Sequence, residues 1–315
     1  MLSIVLPAYN EEKMIETVVI TLQQLLTKHK IEYELIFVDD GSKDGTWKKI
    51  QQVTDQYNHV VGIQFSRNFG KESAIFAGLE RANGEVVAVM DCDLQHPPET
   101  LIEMYDAWCD GFELIEGVKK HRGKESIMHK ISAKTFYNIM SKATGIDMKN
   151  ASDFKMMDRK VVDSLLKLPE RNTFFRALSS WCGYKVKIVE FEVAKRQIGE
   201  TKWSMSSLIR YALNNIVSFT TIPLQFVTFS GIVFFLVAIV LGIQTLVRYF
   251  CHGAVEGFTT VILLLLFIGS VIMISLGIIG YYIAKMYEEI KHRPRYIVSH
   301  IVVSKEKMIQ EKDLR

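Results

Sequence analysis

The sequence predicts an α/β protein: a mostly parallel sheet with helices on both faces, followed by an interfacial helix and two transmembrane helices. Three observations predict it. Short apolar runs alternate with segments whose apolar residues recur at helical spacing. A polar cluster follows each of four such runs. Two long segments, 211–247 and 257–284, contain no charged residue.

The first strand is expected at 3–6, short and apolar. Ile15, Val18, Val19, Leu22, Leu25 and Leu26 then recur on one helical face, with Asn10 as N-cap and Glu11 and Glu12 at the positive end of the helix dipole. Residues 35–38 make a second strand closed by Asp39, Asp40, Gly41 and Ser42. Thr46 is placed to cap the next helix, whose Trp47, Ile50 and Val53 point inward. Residues 60–65 form a third strand, and 72–82 a helix stopped by Asn83 and Gly84. A fourth strand, 86–90, runs into Asp91, Cys92 and Asp93. Pro97 and Pro98 open another helix, and 114–118 is a fifth strand. In open sheets of this kind ligands bind beyond the carboxyl ends of the strands. The polar clusters 7–11, 39–42, 66–71 and 91–95 all fall there and read as one site.

Composition bounds the function. The 315 residues are 49% hydrophobic and 23% charged, with 19 Gly and 6 Pro, which excludes global disorder and collagen-like chains. A net charge of +3 is too balanced for a protein that grips nucleic-acid phosphates, so no nucleic-acid partner is expected. Cys92, Cys109, Cys182 and Cys251 stand far apart without a C-x-x-C, so neither a disulfide framework nor a zinc site is expected and a reducing, cytoplasmic setting fits best.

The mean hydropathy of +0.13 has a local source. Segments 224–250 and 259–284 each exceed the roughly 20 apolar residues that cross a bilayer. A pair of buried core helices is the alternative. No signal peptide is expected, because the apolar start is short and Glu11 and Glu12 follow at once. Lys195, Arg196, Lys202 and Arg210 precede the first span and Lys285, Lys291, Arg293 and Arg295 follow the second, whereas the connecting loop carries only Glu256. By the positive-inside rule both flanks are cytoplasmic. The expected organisation is a cytoplasmic domain at 1–203, an interfacial amphipathic helix at 204–222, a two-helix anchor at 223–286 and a cytoplasmic tail at 287–315. The interfacial helix rests on the spacing of Trp203, Met205, Leu208, Ile209, Leu213, Ile216, Val217 and Phe219, a pattern that a core helix would also show. In the tail, 296–303 is β-like.

Asp91 and Asp93 carry the sharpest chemical signal. On an extended segment, residues two apart face the same side, so both carboxylates could hold one cation. Magnesium typically completes its shell with phosphate and water, which suits a metal–diphosphate. Asp39 and Asp40 read either as turn formers before Gly41 or as acceptors for a nucleotide base or ribose. No G-x-G-x-x-G or P-loop supports a dinucleotide or P-loop reading.

Pro7-Ala8-Tyr9-Asn10-Glu11, Val38-Asp39-Asp40-Gly41-Ser42, Ser66-Arg67-Asn68-Phe69-Gly70-Lys71 and Asp91-Cys92-Asp93-Leu94-Gln95-His96-Pro97-Pro98-Glu99 resemble, in order and spacing, the family 2 inverting glycosyltransferases. Ala151-Ser152-Asp153-Phe154, Leu168-Pro169-Glu170-Arg171-Asn172, Gly199-Glu200-Thr201-Lys202-Trp203 and Arg293-Pro294-Arg295-Tyr296-Ile297-Val298 extend the resemblance to the polyprenyl-phosphate (bactoprenol) glucosyltransferases with two membrane helices. The resemblance implies a glycosyltransferase A-type fold that binds a UDP-sugar donor. Pro7, Tyr9, Asn10, Glu11, Asp39, Asp40, Lys71 and Gln95 would face the donor, and Asp91 and Asp93 would hold Mg²⁺ or Mn²⁺. His96 reads as a turn residue before the prolines. Asp153 resembles the proposed catalytic base. A phosphate acceptor is already largely ionised at neutral pH, so Asp153 could instead orient substrate, or be a strand-end cap. Lys119, Arg122, Lys130, Arg196 and Lys202 would meet the phosphate of a polyprenyl acceptor, although a basic run is also an ordinary solvated face.

The reaction implied is transfer of one hexose, glucose first and N-acetylglucosamine or another sugar as alternatives, with inversion at the cytoplasmic membrane face, for modification of a cell-surface polysaccharide. A processive polysaccharide synthase would need a Q-x-x-R-W motif, which is missing, and more spans. An inactive membrane scaffold is the third reading. The resemblance also suggests a homo-oligomer, with membrane lipid and a flippase as further partners.

Overall fold

The computed structural model describes residues 1–120, 152–169, 174–192, 222–252 and 257–304. The chain divides into two compact units. One holds a sheet, its helices and the segment from Pro294 onward; the other holds two long helices.

The sheet unit begins with three strand–helix repeats: β1 (Leu2–Ala8), α1 (Ile15–Lys28), β2 (Tyr33–Asp39), α2 (Thr46–Gln56), β3 (Val60–Phe65) and α3 (Lys71–Arg81). Then come β4 (Val86–Val89), α4 (Thr100–Cys109), β5 (Leu114–Lys119), β6 (Lys155–Asp158), α5 (Arg159–Lys167), α6 (Phe175–Trp181), β7 (Val186–Phe191) and β8 (Val298–Val303). The strand order is β7-β5-β6-β4-β1-β2-β3-β8. β4, β1, β2 and β3 are parallel neighbours, as the sequence predicts. β6 lies antiparallel between β4 and β5, and β8 antiparallel on β3, so the sheet is mixed.

Ile4, Leu6, Leu35, Phe37, Val60, Val86 and Ala88 are fully buried, and α1 adds Ile15, Val18, Val19, Leu22 and Leu26 to the same core. Strands covered on both faces read as unbroken apolar runs, which is why they were legible. A Cβ on Gly78 of α3 would overlap Val5 of β1, so only glycine lets this helix seat. The register sets Ala8 beside Asp39 and Asp39 beside Gln64, aligning the carboxyl ends of β1, β2 and β3.

Two helix starts differ from expectation. Asn10 does not cap α1, which begins five residues later without a side-chain cap. It sits at φ 55° and its Oδ1 accepts the Lys43 N–H at 2.9 Å, joining the β1 and β2 loops. Thr46 is the first residue of α2 and not its cap: its N–H and hydroxyl both donate to Asp44 Oδ1, at 3.0 and 2.5 Å.

The β-like tail is a true strand. Ser66 N–H donates to Ile297 O at 3.0 Å, and the Tyr296 ring stacks on Phe65 with centroids 4.8 Å apart. Arg295 lies over the Phe76 ring and donates to Leu168 O at 2.6 Å. The Arg-Pro-Arg-Tyr motif therefore ties the returning chain to α3 and to the end of α5.

The second unit contains α7 (Ile222–His252) and α8 (Phe258–Ile290). Pro223–Gln244 and Phe267–Ile290 are long and apolar enough to cross a membrane, and neither window is buried. Phe229, Phe235, Leu265 and Met273 are exposed, unlike the side chains of core helices. Phe234 and Phe267 meet edge to face at 5.3 Å. Apart from Ile222, the proposed interfacial helix lies outside the described residues.

Gly78→Ala should destabilise the sheet unit by about 1–3 kcal/mol, because a buried methyl must displace Val5 or α3. The thermal melt of the detergent-solubilised protein checks this.

Candidate active site

The site grows from four strand ends. After β1, Tyr9 is 40% exposed, and Pro7 and Glu11 are half-buried. Ser42 Oγ accepts the Asn10 N–H and Thr46 Oγ1 the Glu11 N–H, both at 2.9 Å. After β2, Asp39 is buried; its Oδ1 accepts the Ser42 N–H at 3.0 Å and its Oδ2 the Gln64 amide at 3.1 Å. Asp40 Oδ1 accepts the Phe69 N–H at 2.6 Å, and its Oδ2 the Gly70 N–H at 3.0 Å. Burial pushes the Asp40 carboxyl up to about 6, although those N–H groups oppose the rise. Asp40 thus shapes the 66–71 loop. Gly41 (φ 65°) must be glycine, because a Cβ there would meet the Arg67 backbone.

Past β4 the chain leaves the extended conformation, so Asp91 and Asp93 do not alternate along a strand as the sequence predicts. Leu94 adopts φ 52°, and Asp93 Oδ1 accepts the Gln95 N–H at 3.1 Å, closing a turn. Cys92 is buried in the apolar core, and burial raises its thiol pKa well above the usual value. His96 lies in the bend before Pro97, as expected, but its ring turns inward. It is buried, stacked on Phe154 with centroids 4.6 Å apart and edge-on to Phe191 at 5.4 Å. Burial lowers its pKa, and its Nδ1 has no hydrogen-bond partner among the described residues.

The centre is a chain of alternating charges. Lys71, the first residue of α3, reaches Asp91 Oδ1 at 2.6 Å and donates to Asp153 Oδ2 at 2.8 Å. From α6, Arg176 forks onto the same carboxylate, Nε to Oδ1 at 2.6 Å and Nη2 to Oδ2 at 2.8 Å. Asp153 is 7% exposed. Burial alone would raise its pKa, but Lys71 and Arg176 outweigh burial and hold it well below the usual carboxylate range. Burial acts the same way on Asp91, where Lys71 and then His96 prevail and hold the pKa low. Burial would lower Lys71, yet Asp91 and Asp153 hold it well above an ordinary lysine. Glu72, its neighbour, accepts the Phe175 N–H at 2.9 Å; burial and then the Asp153 charge raise it to about 7.

The structure therefore joins Lys71, Asp91 and Asp153, and separately knits Asn10, Glu11 and Asp39 into the β1–β2 loops. Gln95 is half-buried in the Asp93 turn, and Lys119 is exposed at the end of β5. Arg122, Lys130, Arg196 and Lys202 lie outside the described residues. Arg176 and Glu72 were not found by sequence reasoning.

Among the described residues no three His, Cys, Asp or Glu side chains cluster as a ready metal cage. Asp91 and Asp93 nonetheless fit a hard divalent cation that takes other ligands from diphosphate and water, because the intervening sulfur of Cys92 is turned into the core and only oxygen donors remain.

Three βαβ repeats with polar loops at the carboxyl ends of their strands define an α/β protein with one candidate site at that edge of the sheet. The chain belongs to glycosyl transferase family 2, which matches residues 3–166. Uncharacterized glycosyltransferase sll0501 of Synechocystis is 39% identical over 95% of both chains. The prophage bactoprenol glucosyl transferase homolog of Escherichia coli K12 is 35% identical over 95% of this chain and 99% of its own. Among solved structures, glucosyl-3-phosphoglycerate synthase of Mycobacterium tuberculosis with Mn²⁺ and UDP-glucose is 20% identical, with a TM-score of 0.46 over 69% of this chain and 77% of that one.

Raising the Asp40 pKa means that the folded state keeps a proton the unfolded state gives up. Stability from this group is fullest below about pH 4 and is lost as pH rises through about 6. The melting temperature of wild type minus that of Asp40→Asn should fall between about pH 4 and about pH 7. A difference that grows over that window would contradict the assignment.

Proposed function

We propose that the protein transfers one glucosyl unit from UDP-glucose to polyprenyl phosphate at the cytoplasmic membrane face, inverting the anomeric centre. The observation that carries this reading is the Lys71–Asp91–Asp153–Arg176 cluster at the strand ends of a family 2 glycosyltransferase whose chain also contains two membrane-length helices. The bactoprenol glucosyl transferase homolog, matched over nearly its whole length, supports the acceptor and the sugar.

In this reading the β1 and β2 loops, with Asp39 and the neighbouring Tyr9, Asn10 and Glu11, receive the uridine. Asp91 and Asp93 would hold a divalent cation. Bound there, that cation supplies Lewis-acid stabilisation of the departing nucleoside diphosphate. Lys71 brings a second positive charge to the same side of the site.

Asp153 is the residue whose role the geometry narrows. A general base works best with a pKa near the working pH. Three donated hydrogen bonds from two cations push Asp153 the other way. We therefore assign it the role of a fixed anion that orients groups around the anomeric carbon. The acceptor phosphate is itself ionised and needs little help losing a proton. Lys119, with the basic residues outside the described segments, would meet that phosphate.

The test supplies purified protein in nanodiscs with undecaprenyl phosphate, Mn²⁺ and separate UDP-sugars, and follows lipid-linked product by mass spectrometry. A single-hexose lipid phosphate from UDP-glucose is expected, and Asp91→Asn should lower the rate at least ~100-fold without loss of folding. Product only from UDP-N-acetylglucosamine would change the sugar, polymer would change the class, and full activity of Asp91→Asn would sink the metal assignment.

A further inference from the structure

Beside the Asp153 cluster lies a second, buried charge pair. Lys155 Nζ sits 2.6 Å from Glu116 Oε1 of β5 and donates to Ser179 Oγ of α6 at 2.7 Å. It also lies 3.4 Å from Arg176 O and from Ser180 Oγ. Ser180 Oγ donates to Glu116 Oε1 at 3.1 Å. Lys155 is 0% and Glu116 8% exposed.

Two charges out of water are an expensive way to hold a helix, and apolar side chains of similar volume often serve stability as well or better. What the pair supplies is direction. Lys155 and Asp153 both reach α6, one at Arg176 O and the other at the Arg176 guanidinium, while Phe154 between them stacks on His96. Lys155 thereby anchors α6 at the residue that grips Asp153. Glu72 fixes the same helix at the Phe175 N–H, and Glu72 adjoins Lys71. Both cations on Asp153 thus rise from one tethered frame. Such a frame matters in a site that must admit a diphosphate and a phosphate, because an untethered guanidinium would leave Asp153 for either anion.

We propose that Lys155 and Glu116 are positioning residues for transfer: touching no substrate, they hold α6 so that Arg176 stays clamped on Asp153 while phosphates enter. The proposal rests on the reading of Asp153 as part of the transfer site.

The test compares the wild type, the double variant Lys155→Met with Glu116→Leu, and Ser179→Ala, using UDP-glucose, undecaprenyl phosphate and Mn²⁺ in nanodiscs. The double variant leaves no unpaired buried charge, and Ser179 and Ser180 keep their bonds to Phe175 O and Arg176 O. It should melt close to wild type and keep the UDP-glucose KM, while kcat falls about 10- to 100-fold. A folded double variant with wild-type kcat overturns the proposal. Should the double variant not fold, Ser179→Ala decides: it keeps the Lys155–Glu116 pair but removes the side-chain bond that ties it to α6, so a loss of kcat at unchanged KM supports the proposal and wild-type kcat overturns it. A wild type that makes no lipid-linked sugar from any UDP-sugar overturns the transfer reading and this proposal with it, whereas an active wild type beside undiminished variants overturns the positioning alone.

Discussion

The site depends on one carboxylate that is buried and yet ionised. Removing Asp153 from water favours its neutral form, and only close, well-aimed cations reverse that preference. Lys71 and Arg176 are those cations. Each part of the surrounding fold can be read as a condition for their meeting. β4 delivers Asp91, which shares Lys71; α3 delivers Lys71 through a helix that seats only because Gly78 has no side chain; β6 delivers Asp153; α6 delivers Arg176.

The segment Asp153-Phe154-Lys155 divides the work between two faces. One face is charged and faces α3 and α6. The other is aromatic, with Phe154 between His96 and Phe191, and Gly117 leaves the room its ring needs. His96 belongs to this apolar layer, which ties the turn after Asp93 to β6 and β7. This aromatic packing holds the turn after β4 against the segment that carries Asp153, and Lys71 bridges the Asp91 and Asp153 carboxylates directly.

Local patterns revealed some of this and concealed the rest. The parallel strands were legible because burial on both faces makes each an unbroken apolar run. The strand-end loops were legible because a sheet of this type puts its polar residues there. Asn10 and Thr46 misled because a residue suited to capping a helix is equally suited to bonding another loop, and the partner sits more than thirty residues away for Asn10. The extended run expected through Asp91 and Asp93 gives way to a turn, because a left-handed Leu94 cannot be read from sequence. Arg176 was invisible for a stronger reason: its partner is separated by 23 positions, and nothing in a short amphipathic helix marks one arginine as directed inward. β6 and β8 enter the sheet antiparallel through long connections, which strand-by-strand reading does not order.

The account predicts that Asp153 stays ionised below the pH at which an ordinary aspartate protonates. Infrared difference spectra of carboxyl-labelled protein, wild type minus Asp153→Asn, follow that one group through an acid titration. The account requires the Asp153 carboxylate band to persist well below the pH at which an ordinary aspartate protonates, about 3.9. A protonated carbonyl band appearing at or above that pH would contradict it.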